Sequence, residues 1–396
     1  MRKLTFAGLG FIAASCVAFA QTAEPAKAVE PAKFEIGPIK LSGTLDGYYS
    51  FNNNHPASRI NTQHNFSASA NSFDLNFAKM RLEMAPEPVG FVFDFGFGTG
   101  MEIFSAGEPG NPNVAGFART NVYSNSVVSN TFLNHVAQAY LSVKPKGWGG
   151  VQMDFGKFYT FSGAELTETY LNWNYSRALL YTNGPFFHFG ARIQAPIGSH
   201  FVGGVQIVNG WNNVFDNNAG KTIGLTSAVT FGKVVWASSY YVGPENSAVD
   251  PATGNLISRA GKGFRNYFDT NVTVTPSDKF AFYGNYAYGR NNTQPSNTTA
   301  DWHAFALAGK IGSRKLYFAP RYEIYKDNDG FITGVPQKIQ EFTGTLNYEF
   351  VPGIMTKFEY RRDWSDVSYF PTGSVGTKKN QDTALIGLVM YFPLPK

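Results

Sequence analysis

The chain is poor in the residues that soluble proteins use most. Charged side chains make up 15% of its 396 residues, against about a quarter in ordinary globular domains. It has one cysteine, Cys16, inside an apolar N-terminal stretch. Beyond that stretch there is therefore no thiol for a disulfide or a thiolate metal site. The six histidines (His55, His64, His135, His188, His200, His303) are scattered, with no second ligand at metal spacing. After the N-terminus no segment reaches 18 consecutive apolar residues, so no helix is expected to cross a membrane. Removal of Arg2 and Lys3 with the leader takes the formal net charge from +5 to +3, too small an excess to point to nucleic acid.

In place of these the chain has aromatics, 16% of its residues with 36 Phe and 21 Tyr, and abundant Gly, Asn and Thr. That mixture favours strands and polar loops over helices. Residues 1–20 read as a secretory leader: basic Arg2 and Lys3, an apolar core, and the small-x-small site Ala18-Phe19-Ala20, cut before Gln21. Residues 21–38 repeat Ala, Pro, Glu and Lys and read as a periplasmic linker. Residues 39–392 form the main body, and 393–396 a short tail.

Residues 337–364 show the recurring unit. Phe342, Leu346, Tyr348 and Phe350 fall on one parity, and Glu341, Thr343, Thr345, Asn347 and Glu349 on the other. Val351-Pro352-Gly353-Ile354 breaks the pattern as a turn does. Phe358 and Tyr360 then alternate with Lys357, Glu359, Arg361 and Asp363. Side chains alternate faces along a strand, so each run has one apolar and one charged face.

Sixteen such runs can be drawn: 39–51, 72–84, 91–97, 135–144, 151–159, 183–195, 199–209, 221–231, 233–243, 264–275, 279–289, 302–311, 314–325, 338–350, 355–365 and 382–392. In the second, Phe73, Leu75 and Phe77 share a face and Met80, Leu82 and Met84 the opposite parity, which predicts a bulge between them. Pro320 in mid-run predicts another. Ala384 to Phe392 is apolar on both faces, so its inward residues are expected to pack under the linker or a loop.

Short connections (85–88, 145–150, 196–198, 232, 276–278, 312–313, 351–354) alternate strictly with long polar ones (52–71, 100–134, 160–182, 210–220, 244–263, 290–301, 326–337, 366–381). A transmembrane barrel sorts its loops this way, short on the periplasmic rim and long outside. Hydrocarbon demands that every backbone polar group be paired, so a sheet that spans must close. The fold class is therefore an all-β, closed, antiparallel up-and-down transmembrane barrel of about sixteen strands, in the outer membrane.

The segments Leu41-Ser42-Gly43-Thr44-Leu45-Asp46-Gly47-Tyr48-Tyr49, Pro88-Val89-Gly90-Phe91 with Asp94-Phe95-Gly96-Phe97-Gly98, Asp154-Phe155-Gly156-Lys157-Phe158, and Asn172-Trp173-Asn174-Tyr175-Ser176-Arg177 resemble the OmpL-like beta-barrel porin-2 family of Gram-negative bacteria. The likeness runs from about Leu41 to Phe392 and implies an outer-membrane pore. The chain departs from the common terminal aromatic, since Pro393-Leu394-Pro395-Lys396 follows Phe392. That bears on its recognition by the outer-membrane assembly machinery.

A sixteen-strand barrel is wide enough for an aqueous channel. The expected function is passive diffusion of small hydrophilic solutes or ions, with outer-membrane lipid around the barrel and a homo-oligomer as one assembly. No enzyme activity and no cofactor is expected. The alternatives are a barrel enzyme acting on lipid, which would need Ser162 or Ser176 beside His188 and a carboxylate, and a structural or adhesive barrel. Asp327-Asn328-Asp329-Gly330 looks like the start of a calcium loop but lacks the acid at the twelfth position. By parity, Asp94, Asp154, Arg192, Arg321, Glu323, Glu341, Lys357, Glu359 and Arg361 face the lumen, either lining it or pairing with one another across strands. Loop 160–182 is expected to enter the pore. In general porins the third long loop narrows the lumen, which is what the resemblance implies, and this one carries eight large apolar residues from Phe161 to Leu180. Glu165, Glu168 and Arg177 would then form a charged constriction, carboxylate facing guanidinium across the opening. A lid on the barrel or a contact to a neighbouring subunit is the other reading of the same loop.

Overall fold

A computed structural model describes residues 35–105, 133–216, 218, 220–246, 263–293 and 296–392. The leader, nearly all of the linker and the C-terminal tail lie outside the described residues. Sixteen strands run in sequence order: β1 Ile39–Asn52, β2 Ser72–Met84, β3 Val89–Phe97, β4 Val136–Val143, β5 Gln152–Tyr159, β6 Phe187–Ile197, β7 Phe201–Val208 and β8 Thr222–Phe231. They continue with β9 Val234–Pro244, β10 Phe264–Ser277, β11 Phe280–Thr293, β12 Thr298–Gly312, β13 Leu316–Asp327, β14 Gln337–Val351, β15 Ile354–Ser365 and β16 Asn380–Phe392.

Every neighbouring pair is antiparallel, and β16 closes on β1 from Thr383↔Asn52 to Phe392↔Gly43. The sheet thus has no free edge, and its backbone groups are paired as hydrocarbon requires. Glu35–Ile36, at the end of the linker, adds a short strand against Ile39 and Lys40.

The alternation read from the sequence sets the two faces. Phe73, Leu141 and Phe155 are exposed on the outside, and Phe305, Leu346 and Ile386 likewise. A belt of that kind is stable only in lipid. Turns on one rim are tight; at Gly232 the backbone enters the left-handed region (φ 57°), which glycine adopts without a Cβ clash.

The predicted bulge in β2 lies at Asn76, where pairing jumps from Asp46↔Phe77 to Gly47↔Leu75. The switch therefore falls before Phe77, which points inward and is buried, not outward beside Phe73 and Leu75. Pro320 makes no bulge. The register with β12 is unbroken from Ala308↔Arg321 to Ile311↔Phe318, with the pairing simply skipped at Gly309 and Lys310. The missing N–H falls in that gap. Strand β6 starts at Phe187, four residues later than the alternation suggests, and the connection expected over 290–301 shrinks to 294–297 because β11 runs on to Thr293 and β12 starts at Thr298. Leu385, Val389 and Tyr391 of β16 pack under a loop, in a cluster with Tyr48, Tyr175 and Met355.

Candidate functional site

Loop 160–182 does not stand above the barrel. It crosses the lumen and is held by both walls. Its backbone N–H groups meet acceptors on the inner face. Gly163 donates to Asp269 (2.9 Å) and Ala164 to the Asn285 side chain (3.0 Å). Tyr175 and Ser176 both donate to the Glu359 carboxylate (2.6 and 3.0 Å), and Leu179 and Leu180 to that of Glu323 (3.0 and 3.2 Å). Consecutive N–H groups need an acceptor with two oxygens, which a carboxylate supplies. The loop carbonyls have their own donors: the Lys357 ammonium reaches those of Asn172, Trp173 and Asn174, and Arg361 donates to the Arg177 carbonyl (2.8 Å).

The loop keeps its shape through two residues of its own. The Arg177 guanidinium donates to the carbonyls of Leu166 (2.8 Å), Thr167 (2.6 Å) and Tyr175, and to Thr169 Oγ1 (3.0 Å). The Asn172 amide binds Leu166 N–H and the Leu166 and Glu168 carbonyls. An irregular loop inside a barrel carries orphan carbonyls that must find donors, and here Arg177 provides them.

Its apolar residues sit on a wall cut back to receive them. Trp173, Leu179 and Leu180 pack in one cluster with Ala281, Ala304, Ala306, Ala308 and Ala319 from the inner faces of β11, β12 and β13. Trp173 lies against the Tyr283 ring, centroids 5.3 Å apart. On the opposite wall the Tyr175 hydroxyl donates to Asp46 (2.6 Å).

The three candidate constriction residues part company. Glu165 pairs with Arg321 (2.7 Å) and accepts from Ala178 N–H (2.6 Å). Glu168 pairs with Lys79 and accepts from the Tyr159 hydroxyl (3.0 Å), with Arg81 at 4.0 Å. Burial works to raise the Glu168 carboxyl, but Lys79 and Arg81 outweigh it and hold it below the ordinary range. Arg177 faces neither carboxylate across an opening, because its donors are spent on its own loop; the carboxylates meet wall cations instead.

The inward charges are buried, not washed by water. Arg321 lies among Glu323, Glu341 and Glu165 at 2.7–3.1 Å, and Arg361 between Glu341 (3.0 Å) and Asp363 (2.7 Å). Asp154 pairs with Arg192 (2.7 Å) and Asp94 with Arg81 (2.6 Å). Arg321, Glu323, Glu341, Lys357 and Arg361 are at most 1% exposed. Arg81 keeps 32% of its side chain accessible and marks where solvent reaches the charged cluster.

Loop 53–71 was not read from the sequence as part of the site, yet it also enters the mouth. Phe66 packs on Phe77 and on Tyr181 of loop 160–182 (4.9 and 5.8 Å). His64 Nε2 lies 3.0 Å from Asp363, and Gln63 accepts from the Asn183 amide (2.9 Å). Burial, with Arg361 nearby, lowers the His64 pKa despite the Asp363 contact. A readable signal was Phe66, the one Phe, Tyr or Trp in residues 53–71. The wall had one too, the inward run Ala304, Ala306, Ala308, too small and apolar to line water.

His188, Ser162 and Ser176 do not assemble a nucleophile. His188 binds the Gly210 carbonyl (3.0 Å) and stacks on Tyr241, and Ser162 bonds to Ser239 (2.7 Å). His64 does join Ser67 (3.1 Å) and Asp363 in a row, but Ser67 is wholly buried and Asp363 also accepts from Gln381 (3.0 Å). No substrate reaches that hydroxyl. The Asp327 carboxylate is filled by the N–H groups of Phe331, Ile332 and Thr333 (2.7–3.1 Å), leaving it no role as a calcium ligand.

Residues 38–392 match the family model described as "Putative beta-barrel porin-2, OmpL-like". Among solved structures, OmpT of Vibrio cholerae superposes with a TM-score of 0.54 at 14% identity, over 92% of this chain and all of that one. The anion-selective porin from Comamonas acidovorans gives 0.55 at 11% identity, over 89% and 99%. Salmonella typhi OmpF, in complex with daunomycin, gives 0.52 at 12%, over 89% and 97%. At these identities the likeness establishes the fold. No curated protein matches the sequence.

Proposed function

The chain belongs to the OmpL-like beta-barrel porin-2 family and is an outer-membrane porin, and from that premise we propose that loop 160–182 sets which small hydrophilic solutes or ions pass. The observation that carries this reading is the ladder of loop N–H groups on Asp269, Asn285, Glu359 and Glu323, which seats the loop across the lumen instead of over it. With the loop so seated, the remaining path runs beside Arg81, the inward cation of the Asp94–Glu168 cluster that keeps solvent access. The protein is then a low-conductance diffusion channel with no catalytic chemistry.

Deleting residues 163–175 tests this. A barrel that still assembles is expected to show larger single-channel steps in a planar bilayer and to admit bulkier solutes. Unchanged conductance in the folded deletion would leave the loop as a lid or a subunit contact. The chain is also read as a homo-oligomer, in line with the trimer form of Vibrio cholerae OmpT; a monomer by light scattering in mild detergent would count against it.

A further inference from the structure

The outer face of the barrel carries an arrangement that conduction does not use. Lys326 of β13 and Lys338 of β14 stand opposite each other in register. Both are exposed, on the outward parity of Tyr322 and Phe342, at the rim of the long loops. Like charges directly across a strand pair are destabilising. Among the described residues neither ammonium has an acidic partner.

On the adjoining strands, Arg362, Trp364 and Ser365 of β15, with Lys379 just before β16 and Asn380 at its start, line an open pocket of about 380 Å³ on the same side. Strand order joins the two features. Lys338 N–H binds the Asp366 carboxylate (2.9 Å), and Lys379 Nζ binds the Asp366 carbonyl (2.7 Å). Basic side chains therefore recur over three consecutive strands, β13 to β15, and in the connection that leads into β16. Two acids lie among them, and both have partners. Asp366 is held by the Lys338 N–H, and Asp382 accepts from the Tyr360 hydroxyl (2.6 Å) and Arg362 (3.3 Å).

The height is set by the aromatics below. The Tyr322 hydroxyl donates to Gln340 (2.7 Å), and the Tyr322 ring lies 6.2 Å from that of Trp364. Such rings sit at the headgroup level. Lys326 and Lys338 lie four and two residues beyond Tyr322 and Gln340 along the strands, roughly 5–10 Å further out once the strand tilt is counted. That is where lipid phosphates of the outer leaflet sit.

We propose that this face, Lys326, Lys338, Arg362 and Lys379 around Trp364, is a binding site for the phosphorylated headgroup of an outer-leaflet glycolipid. A phosphate oxygen pair bridges the two facing ammonium groups and removes their repulsion. The Arg362–Lys379 pocket takes a second anionic group, and Trp364 packs beside the headgroup at the membrane interface. The proposal rests on the outward orientation of the long loops and is independent of how loop 160–182 works.

The test uses protein extracted from outer membranes in mild detergent, with native mass spectrometry reading the bound lipid. Wild type is expected to retain a phosphorylated acyl-glucosamine disaccharide. Each cation near a lipid surface contributes on the order of 1 kcal/mol, so the double variant K326Q/K338Q is expected to lose affinity roughly thirtyfold, with R362Q/K379Q as an independent second variant. Both sets lie outside the lumen and are expected to keep wild-type conductance, which also reports correct folding. Undiminished lipid in both folded variants would overturn the proposal. So would equal retention of the dephosphorylated glycolipid. Complete displacement of the lipid by inorganic phosphate alone would make this a free-anion site and overturn the lipid assignment.

Discussion

Glu359→Gln is the sharpest test of how the loop is held. The carboxylate accepts three hydrogen bonds: Tyr175 N–H at 2.6 Å, Ser176 N–H at 3.0 Å and Thr345 Oγ1 at 2.8 Å. Glutamine keeps the volume but has one acceptor oxygen. Its NH2 group must then face one of the two loop N–H groups, donor against donor. A lost bond to a charged group is worth about 1.5–3 kcal/mol, and the stranded buried donor costs about 1–3 more. Together these weaken that anchor by roughly 3–5 kcal/mol, and with about 1.4 kcal/mol per tenfold local detachment becomes on the order of a hundred to a thousand times more frequent. Amide exchange over residues 172–180 reads this directly, since protection there reports local opening. Asp154→Asn is the control. It is a buried carboxylate too, but its partners Arg192, Ser142 and Gln152 are all on the wall, so loop exchange is expected to stay as in wild type. Unchanged protection of 172–180 in a folded Glu359→Gln barrel would refute the reasoning, because it would mean the carboxylate does not hold the loop.

Loop 53–71 is expected to loosen in acid. The folded pKa of His64 lies below its ordinary value of 6.5, so the stability tied to its neutral form is full above about 6.5 and is lost as pH falls through the depressed value; exchange over 59–70 compared at pH 7.5 and 5 checks it. Arg81→Gln removes the most accessible inward cation of the Asp94–Glu168 cluster and is expected to shift the reversal potential in a salt gradient toward cations. An epitope inserted at 373–379 is expected to bind antibody on intact cells, whereas one at Gly147 or Gly353 is not, and labelling of either short turn in unbroken cells would reverse the orientation.

Much of the fold was legible because a barrel writes itself twice in a sequence, in the period-two alternation and in the sorting of loop lengths. The β16 inner face was legible as needing cover, since Leu385 and Val389 could not line water. Loop 160–182 was legible as an inward segment for the same reason. Its partners were not. Glu323 and Glu359 sit at ordinary inward positions, and nothing local distinguishes a carboxylate that meets water from one that meets a backbone N–H from 144 or 184 residues away. Arg177 was assigned to the opening because it is a cation near Glu165 and Glu168. What decided its place was the loop's own carbonyls, which had no ladder to join. The Asn76 bulge was visible as a parity switch but not to the residue, because Phe77 is equally at home outside in lipid or inside against Phe66.

The wall and the loop are one network, and this reconciles the two readings of the inward charges. Arg321 serves the wall through Glu323 and Glu341, and the loop through Glu165 and the Ser176 carbonyl. A buried ion pair stripped of one partner is strongly destabilised, by about 3–5 kcal/mol. The pairs among Arg321, Glu341, Arg361 and Asp363 join wall to wall and survive without the loop. The carboxylates of Glu323 and Glu359 also hold loop N–H groups; once the loop leaves, Glu323 keeps Arg321 and Glu359 keeps the Thr345 hydroxyl, and water must replace the loop donors. Cross-strand bracing and lumen lining are thus two states of the same side chains. Glu341 and Asp363 brace in both, while the oxygens of Glu323 and Glu359 that now meet loop N–H groups turn to water when the loop is out.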